Sequence, residues 1–232
     1  MKKYIIVAAA CSLGLGTGCK EEDEHLKPTG DIVGYVKLLD QDGFELSDNS
    51  NVIVSLDEKT SVTSDKTGRF EFRNLEPGNF KIEFKKDGFS TTRRYNFAFV
   101  GGIKPAVIYD VSLIALPKIE VQSKNVVVSA SSASVSGTMS EVDRYYFRYY
   151  FSDKPDVSNE NYLSVSVKSF CCGRVTQFTH ELLIDANKSP LYMVAYAMSP
   201  CSAEGAYDYY NYEKAALVNP AGKKLFEPVK LK

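Results

Sequence analysis

Thr63-Ser64-Asp65-Lys66-Thr67-Gly68-Arg69-Phe70-Glu71-Phe72, followed by Asn74-Leu75-Glu76-Pro77-Gly78-Asn79-Phe80-Lys81-Ile82 and Lys86-Asp87-Gly88-Phe89, is the stretch that decides the fold. Phe70, Phe72, Phe80, Ile82 and Phe84 alternate with polar residues, the period of two that lines one face of a strand. Gly68 and Gly78 stand where turns need a positive φ, and Pro77 fixes the corner before Gly78. The same pattern extends outward. Ile32, Val33, Tyr35 and Val36 fall within a strand ending near Leu39, Asp40-Gln41-Asp42-Gly43 makes a turn, and Val52-Ile53-Val54-Ser55-Leu56 resumes a strand. Asp40-x-Asp42-Gly43 is also how a calcium loop begins, but Phe44 replaces the next oxygen ligand and no glutamate closes the loop, so it reads as a hairpin turn.

The order Asp-x-x-Gly-x-Phe, Leu-x-Pro-Gly-x-Phe, Asp-Gly-Phe resembles the carboxypeptidase regulatory-like domain over nearly all of residues 30–116. That family is a small transthyretin-like β-sandwich, so the resemblance implies a scaffold rather than catalysis.

Beyond Pro117 the pattern changes but stays β. Asn125 to Gly137 is rich in valine and serine, and Tyr145-Tyr146-Phe147-Arg148-Tyr149-Tyr150-Phe151 carries aromatics on both faces before Ser152-Asp153-Lys154-Pro155 ends it. Leu163, Val165 and Val167 alternate with polar residues as a half-buried strand would, and Leu191 to Met198 reads as another strand. The aromatic strand and the later Tyr192 strand resemble a fibronectin type III-like sandwich, over about two thirds of residues 117–232 and more loosely than in the first half. The expected fold class is therefore all-β, with two consecutive β-sandwich domains, transthyretin-like and then fibronectin type III/Ig-like.

The start of the chain reads as an address. Lys2 and Lys3, an apolar run from Tyr4 to Leu15 and small residues at Gly16-Thr17-Gly18 make residues 1–18 an export signal. Cys19 then stands as the acceptor for a covalent lipid, against the alternative of an ordinary secretory signal with a chance cysteine. Residues 19–29 form an acidic tether. Its Lys20-Glu21-Glu22-Asp23-Glu24 run reads as solvated linker, and it also resembles the export signal of surface lipoproteins of the Bacteroidota. The expected location is the outer membrane, lipid-anchored and facing the exterior, with retention on the inner leaflet as the alternative. No second apolar run approaches the roughly twenty residues of a spanning helix.

The chain of 232 residues carries 28 basic and 29 acidic side chains, and loss of the signal would leave 26 against 29. That balance favours neither nucleic acid nor an anionic membrane surface. Once Cys11 leaves and Cys19 takes lipid, Cys171, Cys172 and Cys201 remain, an odd number in an oxidising compartment. One bridge from Cys171 or Cys172 to Cys201 is expected, with one thiol left over. Zinc is disfavoured because no paired Cys-x-x-Cys or histidine ligand set accompanies them.

Chemistry is sparse. Of the two histidines, His25 lies in the tether, and His180 reads as a surface strand residue with no nucleophile motif near it. No enzyme is expected, and no cofactor or metal beyond the lipid on Cys19. The remaining feature is Tyr207-Asp208-Tyr209-Tyr210-Asn211-Tyr212, after a Ser-Ala-Glu-Gly-Ala loop. Tyr207, Tyr209, Tyr210 and Tyr212 are candidate contacts for a glycan or surface protein, or alternatively strand residues packing across a sheet. The absence of tryptophan weighs against sugar. The function expected is a non-catalytic, lipid-anchored binding protein, such as an accessory recognition module of an outer-membrane uptake system; the alternative is a structural adhesin or fimbria-associated subunit.

Overall fold

The computed structural model describes residues 28–140, 145–166, 169–171, 176–185, 187, 189–198, 209–211, 216–218 and 222–232. Among these, every regular element is a strand. The first seven are β1 (Gly30–Leu39), β2 (Ile53–Leu56), β3 (Thr60–Thr63), β4 (Arg69–Leu75), β5 (Gly78–Lys85), β6 (Thr92–Phe99) and β7 (Gly102–Ile114). They form two sheets, ordered β4-β1-β7 and β3-β2-β5-β6. Alternation sends Ile32, Val36 and Leu38 of β1, Phe70 and Phe72 of β4, and Ile82 and Phe84 of β5 into one core. Phe70 meets Phe72 and Phe84 edge to face, with centroids 6.3 and 5.5 Å apart. Phe80 is half-buried against this core, so all five residues of the deciding pattern pack as their spacing requires.

The turns are built from short polar side chains. Asp65 Oδ1 accepts the amides of Thr67 and Arg69 at 2.8 and 3.0 Å, and Gly68 closes that turn with φ at 85°. A Cβ on Gly68 would lie 2.0 Å from the Val36 carbonyl oxygen, so the site needs glycine for space as well as for its dihedral. Asp40 Oδ1 likewise accepts the amides of Asp42 and Phe44, both at 2.9 Å, which spends that oxygen on a hairpin turn. Gly78 departs from expectation. It opens β5 without a positive φ, and the left-handed residue of that corner is Asn74, φ 53°, whose amide is held by Asp31 Oδ1 at 2.9 Å. Asparagine tolerates this conformation because its short polar side chain can bond locally.

Residues beyond Pro117 form β8 (Val121–Val128), β9 (Ser132–Met139), β10 (Tyr145–Ser152), β11 (Ser164–Val165), β12 (Ser169–Cys171), β13 (Gln177–Leu183) and β14 (Tyr192–Met198). β15 (Tyr209–Asn211), β16 (Ala216–Val218), β17 (Lys223–Lys224) and β18 (Val229–Lys230) complete the order. One sheet runs β13-β9-β8 and the other β11-β10-β14-β17, with β12 beside β10 and β18 beside β14, while β15 and β16 pair separately. Between the two larger sheets lie Val135, Phe147, Tyr149, Phe178, Met193 and Ala195. The other face of β10 and β14 carries a second cluster of Tyr150, Val157, Val194 and Tyr196. β10 thus places aromatics on both sides, and β14 is buried on both sides.

The two cores separate along the chain, with Leu113 in the first and Ile119 in the second. Among the described residues, strand pairing joins β1 to β7 only with one another and β8 to β18 only with one another. The chain folds as two successive β-sandwiches. One expectation fails here. Leu163 and Val165 are 57% and 40% exposed, not half-buried, because β11 is a two-residue edge paired only with Tyr150 and Phe151. Val167 lies outside the described residues.

Candidate functional site

The export signal, residues 19–27 of the tether with Cys19, and Cys172, Cys201, Tyr207 and Tyr212 lie outside the described residues. Cys171 ends β12 opposite Tyr145 of β10. Tyr209 and Tyr210 are strand residues of β15, opposite Val218 and Leu217.

A different pair of tyrosines is presented on the first sandwich. In β1, Ile32, Gly34, Val36 and Leu38 face inward, so Val33, Tyr35 and Lys37 face out; in β7, buried Ile108 and Val111 leave Val107 and Tyr109 on the same outer side. Tyr35 is 46% exposed and Tyr109 62% exposed, on neighbouring strands. The parallel register pairs Val33 with Val107 and Gly34 with Ile108, then slips before Val36 meets Val111, so an extra residue of β7 bulges beside Tyr35. Phe70 fills the space beneath Gly34, where an added Cβ would fall 2.4 Å from its ring. The backbone under the tyrosines is therefore packed from below. It is also strapped from the side, since the Arg94 guanidinium donates to the Tyr109 carbonyl.

Charged side chains border the pair on β4. The register sets Arg69 opposite Tyr35 and Glu71 opposite Val33. Glu71 Oε2 accepts from Arg69 at 3.0 Å and Arg73 at 3.1 Å. Hydrogen bonds from Arg73 and then Arg69 hold its carboxyl below the usual carboxylate range. The result is an outer face with two tyrosines and the valines Val33 and Val107 beside an arginine–carboxylate row. Such a surface offers C–H contact and hydrogen bonds together. Sequence reasoning passed over Tyr35 and Tyr109, although the signal was present. In Val33-Gly34-Tyr35-Val36 and Val107-Ile108-Tyr109 the period of two sets each tyrosine opposite the buried positions.

His180 corrects an expectation. It lies on β13 but turns inward and is half-buried, with its Nδ1 2.7 Å from the Tyr149 hydroxyl and its ring 4.9 Å from that of Phe147. Burial pushes its pKa below the ordinary value of 6.5. An imidazole engaged by a buried tyrosine and enclosed by Phe147 and Phe178 is a core residue rather than a base. Because the folded state favours the neutral ring, its contribution to stability is complete above pH 6.5 and is lost as pH falls through the lowered folded value. The unfolding free energy should therefore decline on acidification below neutrality. Urea titrations of the wild type and His180→Gln across that window should show a shallower decline in the variant.

A groove opens where the two sandwiches meet, with a volume of about 300 Å³. One wall is the turn Lys86-Asp87-Gly88-Phe89, closed by Phe89 N–H donating to the Lys86 carbonyl at 3.1 Å and tied to the end of the first sandwich by Leu116 N–H on the Gly88 carbonyl at 2.8 Å. The other wall is Asn159 and Glu160, in a loop that Ser158 Oγ braces by accepting the Asn161 amide at 3.0 Å, with Tyr196 beneath. Arg93 spans the junction, donating to Glu83 of its own sheet and to Glu160 of the second sandwich at 2.7 Å. Burial opposes its charge, but the hydrogen bonds and charges of Glu160 and Glu83 outweigh burial and raise its pKa. Among the described residues, no cluster of histidine, cysteine, aspartate or glutamate is placed to hold a metal, and no helix is long and apolar enough to cross a membrane.

No family model matches the sequence, and no curated protein matches it. Among solved structures, a DUF3823 family protein from Parabacteroides merdae is similar at 13% identity over 88% of this chain and 99% of the other, with a TM-score of 0.37. A protein from Bacteroides uniformis, proposed to bind carbohydrate, is similar at 13% identity over 88% of this chain and 100% of the other, TM-score 0.34. A cohesin–X-dockerin complex from Acetivibrio cellulolyticus is similar at 17% identity over 37% of this chain and 58% of the other, TM-score 0.32. At these values the likeness carries no argument about ligand or partner.

Proposed function

We propose that this chain is a non-catalytic binding protein, lipid-anchored at Cys19 on the outer face of the outer membrane, that recognises a glycan through the Tyr35–Tyr109 face as an accessory of an uptake system. The carrying observation is the tyrosine pair itself. Two tyrosines are held 46% and 62% exposed on adjacent strands whose inward residues are buried, with Val107 partly in water as well. Strand-borne rings lose little freedom on binding, which suits a weak ligand. The Arg69–Glu71–Arg73 row beside them supplies fixed polar groups for hydroxyls.

The seven strands of residues 30–114 support the transthyretin-like reading of the first domain, 30–116. The order β13-β9-β8 against β11-β10-β14-β17 supports the fibronectin type III-like reading of 117–232.

Each tyrosine should contribute on the order of 1 kcal/mol, so Tyr35→Ala with Tyr109→Ala should weaken glycan binding roughly 30-fold, as measured on an array and then by calorimetry. If the array is blank and a pull-down from outer-membrane extract yields a protein that the double variant loses, the partner is protein. Binding unaffected by the pair removes this face from consideration. The anchor is tested separately. Radiolabelled palmitate should enter the wild type and be absent from Cys19→Ala, and equal labelling of the two would reject lipidation there.

A further inference from the structure

We propose that the groove between the two sandwiches is a second binding site, for a single neutral sugar unit, and that it exists only when both sandwiches are present. Its walls come from both sides of the junction: Asp87, Phe89 and Thr91 from the first sandwich, and Asn159, Glu160 and Tyr196 from the second. A volume of about 300 Å³ stands at the lower end of the range typical of small-ligand pockets, enough for one small polar ring and too little for an extended chain. Junctions between domains are where such pockets preferentially occur.

The chemistry of the walls selects the ligand class. Phe89, half-buried at the mouth, offers ring surface to the C–H groups of a sugar, the hydroxyl of Thr91 and the carboxylate of Asp87 at the rim are groups that pair with adjacent hydroxyls, and Asn159 and Tyr196 form the buried floor. The charges of the lining are largely engaged: Lys86 Nζ donates to the Ser50 carbonyl at 2.5 Å, Glu160 is paired with Arg93 at 2.7 Å, and Lys85 and Asp87 are of opposite sign. The site is also built before any ligand arrives. Asn159 and Tyr196 are both buried, and the Asn159 backbone hydrogen-bonds the Tyr196 hydroxyl. Gly222 packs against the same ring, where an added Cβ would fall 3.0 Å from Tyr196 Cβ. Preformed walls of this kind spend little binding energy on ordering.

The experiment uses the full chain with labelled aromatic side chains and a panel of neutral methyl glycosides (glucoside, galactoside, mannoside, xyloside), with glucuronate as the charged comparison. At least one neutral glycoside should shift the resonances of Phe89 and Tyr196 together. Asp87→Ala with Thr91→Ala, both at the rim, should weaken that response at least roughly tenfold. Tyr35→Ala with Tyr109→Ala should leave it unchanged, which separates this site from the sheet face. If no neutral glycoside moves both resonances, if only glucuronate does, or if the rim variant responds like the wild type, the proposal is overturned. Loss of the response in the Tyr35 and Tyr109 variant alone would assign it to the sheet face and overturn the groove instead.

Discussion

Phe70→Ala should lower the stability of the first sandwich by about 3–5 kcal/mol, the range for removing a fully buried phenylalanine. Phe70 packs beneath Gly34 and edge to face with Phe72 and Phe84, so no neighbour can fill the void without leaving its own contacts. The urea midpoint of that sandwich should fall sharply. The tyrosine signal of the second sandwich, dominated by Tyr149 and Tyr150 in separate clusters, should keep its midpoint if residues 30–116 and 117–232 fold as independent units. A single transition that moves as a whole would show that they do not.

Arg93→Met should produce the second large effect, at the junction. The arginine side chain is only 15% exposed and is the shared cation of Glu83 and Glu160. Its removal takes from Glu83 and Glu160 the cation that they share. Breaking a fully buried pair costs about 3–5 kcal/mol, and because Glu160 is well exposed the expected loss here is about 1–3 kcal/mol. The more telling readout is shape. X-ray scattering should show a larger radius of gyration for Arg93→Met, and adding Glu160→Gln should recover stability without recovering the compact dimensions. Unchanged scattering would mean that Arg93 is only a local contact.

The first sandwich was largely legible because its aromatic residues alternate without interruption and its turns are punctuated by Asp, Asn and Gly. The corner before β5 was misassigned because Pro77-Gly78 is the stronger turn signal, whereas the left-handed Asn74 is held by its amide donating to Asp31, far away in sequence. Leu163 and Val165 were misread for a related reason. Alternation says which residues share a face, and it does not say whether another layer lies opposite. His180 was misplaced because its partner Tyr149 comes from another strand, and a histidine is apolar enough to enter a core once its hydrogen bond is supplied. The Tyr35 and Tyr109 face was within reach of the same alternation that found the core, read for its outward half. The groove was not, since its walls lie about seventy residues apart along the chain and meet only after both sandwiches have formed.

The parallel pairing of β1 with β7 has a consequence for reach. Two strands running the same way begin at one pole of the sandwich and end at the other, and Gly30 indeed starts beside Gly102 while Leu39 finishes beside Ile114. Whatever holds the chain before residue 30 therefore attaches at the pole opposite the one from which the second sandwich departs. β7 is 13 residues long, and at about 3.3 Å per residue it covers roughly 40 Å. If the tether is fixed to a membrane, the first sandwich acts as a stilt that lifts the second clear of the lipid headgroups and presents the tyrosine strip along its shaft, at a height where neighbouring molecules would pass.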